Sequence, residues 1–143
     1  AQAICDSVEV TKGAVVTNDP AGYVQCRNVS TVVGGHPIPN QQSILGTENI
    51  QKIIEQCTEN DLLIILISGG GSALLCKPRV SLADLQETTE LLLKSGADIN
   101  EINTIRKHLS YVKGGQLVQS VPCRVISFII SDIVCVHVRR NKG

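Results

Sequence analysis

Six consecutive apolar residues, Leu62–Ile67, run directly into Ser68-Gly69-Gly70-Gly71-Ser72 and then Ala73-Leu74-Leu75. A run without polar alternation reads as a strand buried on both faces, the signature of a parallel sheet between helical layers. Three glycines straight after such a strand make a tight turn into a helix. In α/β folds the carboxyl ends of parallel strands are where ligands bind. The expectation is an α/β fold: a Rossmann-like, three-layer domain around a mostly parallel sheet. Composition agrees, because 43% of the chain is apolar while Tyr23, Tyr111 and Phe128 are its only aromatics, so the core must be built from Val, Ile, Leu and Ala.

The flanking pattern extends this reading. Gly13–Thr17 and Val29–Val33 are short β-rich runs separated by the turn signal Asn18-Asp19-Pro20-Ala21-Gly22. Gly34-Gly35-His36-Pro37-Ile38-Pro39-Asn40 holds two glycines and two prolines, which exclude regular structure. A helix is predicted from about Gln42 to Cys57, turning Ile44, Leu45, Ile50, Ile53 and Ile54 inward, so strand, helix and strand form a βαβ unit. Ser81 opens a further helix as its N-cap, with Leu82, Leu85, Leu92 and Leu93 on one face and Gly96 at its end. Another helix is predicted from Asn100 to Lys113, and Cys123 to Ile130 returns as a strand. The first residues read as the tail of a helix.

Several function classes recede on composition. Thirteen Lys and Arg balance thirteen Asp and Glu, so no global field draws the chain to nucleic acid or to a membrane surface. Aromatic platforms for stacking bases are missing. The longest apolar run is far shorter than the ~20 residues of a membrane-spanning helix. Cys5, Cys26, Cys57, Cys76, Cys123 and Cys135 show no metal-ligand spacing and read as reduced thiols of a cytosolic compartment.

Three groups of residues carry chemistry. Ser68, Gly69, Gly70, Gly71 and Ser72 have the composition of an anion cradle, with amides and hydroxyls as donors, the alternative being a tight structural turn. The loop matches neither the dinucleotide nor the P-loop fingerprint. Ser72 as a hydrolase nucleophile lacks the final glycine of the Gly-x-Ser-x-Gly elbow, since Leu74 stands there. On the predicted Asn100–Lys113 helix, Asn103, Arg106, Ser110 and Lys113 fall on one arc beside the apolar face of Ile102, Ile105, Leu109 and Val112. That arc is either a solvated stripe or a cationic wall in which Arg106 and Lys113 stabilise phosphoryl charge and Asn103 donates an amide. Asp132, after Ser131 at the end of the last strand, is placed to hold Mg²⁺ or orient a hydroxyl, or to end the strand as a simple turn. His36 is read as part of a rigid turn or as a substrate contact. Gly70→Val is expected to abolish ligand binding while leaving the fold largely intact.

Four of these segments together, Gly34–Asn40 (GGHPIPN), Ser68–Leu75 (SGGGSALL), Ile99–Leu117 (INEINTIRKHLSYVKGGQL) and Ile129–Asp132 (IISD), resemble the glycerate 2-kinases in order and spacing. The likeness covers roughly Gly13 to Val134 and points to the N-terminal, MOFRL-associated part of that family. It implies ATP-dependent phosphorylation of D-glycerate at its 2-hydroxyl to give 2-phosphoglycerate, with Mg²⁺, in a cleft between two α/β domains. It also implies that Arg106, Lys113 and Asp132 are the catalytic candidates. Ser68 to Ser72 and Asn103 would bind substrate or phosphate.

The chain departs from the family pattern in two places. No Gly-Lys-Ala-like motif precedes Ala1, and after Asp132 the sequence reads IVCVHVRRNKG in place of the family's Gly-Asp and Ile-Ala-Ser-Gly-Pro-Thr-like run. The expected organisation is therefore a partial N-terminal domain over residues 1–134 and a divergent tail over 135–143. The partner it lacks would be the second domain of a parent enzyme. The chain alone is expected to be inactive, and a noncatalytic anion- or nucleotide-binding module is the rival reading. A cytoplasmic setting fits, with a mitochondrial one left open.

Overall fold

The computed structural model of the chain describes residues 1–130. After a short helix α1 (Gln2–Ser7), strands β1 (Gly13–Thr17) and β2 (Val29–Val33) pair in parallel, Gly13 against Val29 through to Thr17 against Val33. Helix α2 (Gln41–Glu55) packs across both. Asn40 starts it: its side-chain oxygen accepts the Ser43 amide at 3.0 Å, and the Ser43 hydroxyl accepts the Asn40 amide at 3.3 Å. The reciprocal cap satisfies two donors that a helix start leaves open. Gly46 brings α2 close to the strands, since a β-carbon there would lie 2.5 Å from Val16 Cγ2.

Strand β3 (Leu62–Ile67) leads through the glycine turn to a one-turn helix α3 (Gly71–Leu74), then to α4 (Leu82–Lys94) and α5 (Ile99–His108). A 3-10 turn at Gln116–Val118 precedes β4 (Arg124–Ile129), which pairs in parallel with β3, Leu62 opposite Arg124 and Ile67 opposite Ile129. The chain is thus an α/β fold with parallel strands. Among the described residues the strands stand as two separately hydrogen-bonded pairs, β1–β2 and β3–β4, and not as one continuous sheet. No helix among those residues is long and apolar enough to cross a membrane.

Burial corrects the expectation for β3. Its middle residues are half-buried, but Leu62 is 54% exposed and Ile67 43%, while every residue of β4 is exposed. The cause is packing: α2 covers the other strand pair, and no comparable helix lies across β3 and β4 among the described residues. The buried apolar side chains instead collect under the helices, at Ala73, Leu74, Cys76, Leu85, Ile102 and Val112. Leu45 and Leu93, expected inward, are exposed.

The helix predicted to reach Lys113 stops at His108. Its start is firm, with the Asp98 carboxylate accepting the amides of Asn100 and Glu101, and Glu101 Oε2 accepting the Asp98 amide at 2.9 Å. Its end is forced by a competing pairing. Ser110 bridges to Pro78, the Arg79 amide donates to the Leu109 carbonyl, and the Tyr111 amide donates to that of Lys77. The backbone of 109–111 is therefore committed to residues 77–79 and cannot continue the helix.

Candidate functional site

The glycine turn lies at the carboxyl end of β3. Gly70 adopts a left-handed conformation, φ +78° and ψ −11°, which a side chain would disfavour. The Gly71 amide donates back to the Ser68 carbonyl at 3.3 Å, and the Ala73 amide donates to the Gly70 carbonyl at 3.0 Å. Among the described residues the amides of Gly69, Gly70 and Ser72 donate to no backbone carbonyl, and all three residues are exposed. Ser68 is exposed beside them. Successive amides in such a turn form a concavity suited to anions. With α3 only one turn long, its macrodipole adds little.

Two of the three cationic or acidic candidates meet at this turn. Arg106 Nη2 donates to the Ser72 carbonyl at 3.3 Å. Lys113 Nζ donates to the same carbonyl, to Ser72 Oγ at 3.2 Å and to the Leu75 carbonyl at 3.1 Å. An ammonium has three hydrogens, so Lys113 spends all of them on the turn and the end of α3. Arg106 spends one of its five. Lys113 is held by the turn that follows α5, where Ser110 Oγ accepts its amide at 3.3 Å. The helical spacing that grouped it with Arg106 was therefore not the reason they converge. Burial, and then the Arg106 charge, pull Lys113 down to about 8 from an ordinary lysine's 10.5.

The other candidates are less engaged. Asn103 sits half-buried one turn before Arg106 on α5, and its side chain makes no hydrogen bond among the described residues. Asp132 and the tail over 135–143 lie outside the described residues. Among those residues no group of three His, Cys, Asp or Glu side chains gathers as for a metal ion. The exposed amides and Arg106 are donors of the kind that the oxygens of a phosphate or carboxylate accept.

One residue that periodicity could not single out also arrives here. The loop from Gly34 to Asn40 folds over the turn, and a β-carbon on Gly70 would lie 2.8 Å from His36 Nε2. Gly70→Val would add bulk beside His36 and strain a left-handed backbone, so the geometry attaches a cost in stability to a change expected to act on binding. Loop, turn and cationic pair share a cavity of about 50 Å³, bounded by Pro37, Pro39, Ser72, Arg106, Ser110 and Lys113. That is room for a few waters at most, since about 10–15 Å³ of such space holds one.

Residues 1–139 match the family described as Domain of unknown function (DUF4147). The chain is 48% identical over 136 residues to a glycerate 2-kinase of Pyrococcus horikoshii, covering 94% of this chain and 31% of that protein. It is 41% identical over 129 residues to a D-glycerate 2-kinase of Thermotoga maritima, covering 88% of this chain and 31% of the relative. A crystal structure of glycerate kinase from Thermotoga maritima superimposes with a TM-score of 0.87 at 40% identity, over 93% of this chain and 33% of that one. The chain thus spans about a third of the length of each of these relatives. On these likenesses, which run nearly its whole length, it belongs to the glycerate kinase type-2 family, in the DUF4147 portion.

Proposed function

We propose that this chain supplies the oxyanion-binding wall of a glycerate 2-kinase, an enzyme that phosphorylates D-glycerate at its 2-hydroxyl to give 2-phosphoglycerate. The observation that carries the reading is the convergence of Arg106 and Lys113 on Ser72, at the carboxyl end of a parallel strand. Gly69, Gly70 and Ser72 offer amides to a phosphate or carboxylate, and Ser68 adds a hydroxyl. Arg106 has N–H groups left to grip two oxygens at once. Lys113 keeps the turn in shape and contributes its charge through space. Asn103 stands by as an amide donor. Bound ATP would supply the transferred phosphoryl group and Mg²⁺ would offset the charge of its phosphates, with Asp132 the candidate ligand. Positioning and charge stabilisation are the greater part of phosphoryl-transfer catalysis, so one wall alone should achieve little of it. The substrate and the free thiols fit a cytoplasmic setting.

A second reading, a noncatalytic anion-binding module, draws on the spent hydrogens of Lys113 and the small cavity. The test is to incubate the chain, and separately a longer protein that carries it, with ATP, Mg²⁺ and D-glycerate and to measure 2-phosphoglycerate. Product from the longer protein and none from the chain is expected. Turnover by the chain would remove the claim that it is one wall of a site. A longer protein without turnover would favour the binding module.

A further inference from the structure

We infer that His36 is a ligand-contacting residue of the anion cradle, meeting the glycine turn at Gly70 as Arg106 meets it at Ser72, and donating from Nε2 to an oxyanion held there. This rests on the cradle reading above and adds a third wall to it. Four observations meet in it. His36 Nε2 and Cδ2 are the atoms nearest the position of a Gly70 β-carbon, at 2.8 and 3.0 Å, so the imidazole faces the turn edge-on through its nitrogen. The side chain is exposed and makes no hydrogen bond among the described residues, so that nitrogen remains available. Arg106 approaches the same turn at Ser72, two residues further on. The amides of Gly69, Gly70 and Ser72 donate to no backbone carbonyl among the described residues.

The loop that presents His36 is firmly fixed. The Gly34 amide donates to the Thr17 carbonyl at 2.8 Å, and the Gly35 amide donates to Asn40 Oδ1 at 3.0 Å and to Ser43 Oγ at 2.9 Å. At the far end, Gln86 Nε2 donates to the Pro39 carbonyl at 2.9 Å, and Pro39 is buried. Hydrogen bonds to β1, α2 and α4 thus fix both ends of the loop that carries His36. An exposed polar side chain held by rigid backbone against an open set of amides matches what an oxyanion site requires. A ligand of one or two planar or tetrahedral oxygens would meet the imidazole at one edge and the guanidinium at the other.

The experiment uses the chain as it stands. Inorganic phosphate and D-glycerate are titrated in separate arms, with binding followed by calorimetry and by the imidazole proton signals of His36 and His108. A saturable shift of the His36 signal, with His108 unmoved, is expected in at least one arm, and the arm that responds tells phosphate from carboxylate. His36→Gln should weaken that binding about tenfold or more, as for loss of a hydrogen bond to a charged group. His36→Asn serves as a second variant, and circular dichroism checks that both are folded. Binding weakened by Arg106→Met but unchanged in both His36 variants, with the His36 signal still, overturns the inference and leaves the cradle standing. Absence of binding by the unaltered chain in both arms overturns the inference and the cradle together.

Discussion

Lys113 and Gly70 shape the candidate site by opposite means, one through hydrogen bonds to the turn and the other by having no side chain. Burying the Lys113 ammonium brings its pKa to about 8, below an ordinary lysine's 10.5, so between those values the unfolded chain binds more protons at this site than the folded one. Stability from this group therefore rises with pH across that window. In urea unfolding, the stability of the chain relative to that of Lys113→Met should rise from pH 8 to pH 10.5, and a flat relative stability would contradict the burial argument. For Gly70 the expectation is loss: Gly70→Ala should destabilise by about 1–2 kcal/mol through the left-handed strain alone. The contact with His36 adds to that. Gly71→Ala is the control, because its nearest neighbour, Ile67 Cγ2, would be 3.6 Å away and its backbone is helical. It should be neutral or stabilising by up to about 1 kcal/mol, which the same unfolding measurement reads.

The elements divide into those set by local chemistry and those set by packing. The extents of β1, β2 and β3 were legible from apolar runs bounded by turn residues, and the start of α4 from Ser81, whose hydroxyl accepts the Asp84 amide at 3.1 Å. The end of α5 was not legible, since Ser110 and Tyr111 fit a helical pattern and only the distant partners Pro78 and Lys77 take their backbone away. The site was half-legible in the same way. Composition pointed to the glycine turn and to Arg106 and Lys113, but His36 carries no periodic signal and reaches Gly70 only through the fold. Thr47 is another such residue. Fully buried on α2, its hydroxyl donates to the Ser43 carbonyl and accepts the Cys76 amide, both at 2.8 Å, tying that helix to the segment just after α3. Thr47→Val keeps the shape but orphans the amide, at a cost of about 1–3 kcal/mol. The denaturant midpoint should fall with an unchanged slope, and an unmoved midpoint would show that the tie contributes nothing.

At the scale of the molecule, the described residues are well packed at one end and bare at the other. Parallel strands are ordinarily covered on both faces, yet Phe128 is 52% exposed, Ile129 67% and Ile126 43%. A hydrophobic dye such as ANS should therefore fluoresce with the folded chain, and Ile126→Thr with Phe128→Thr should dim it. Undiminished fluorescence in that variant would place the dye elsewhere. The hydrogens that Lys113 commits to Ser72 and Leu75 carry one further consequence. The turn has its shape before any ligand arrives, so an incoming anion has little chain entropy to remove. Its affinity should depend on charge and fit, with hardly any penalty for ordering the loop.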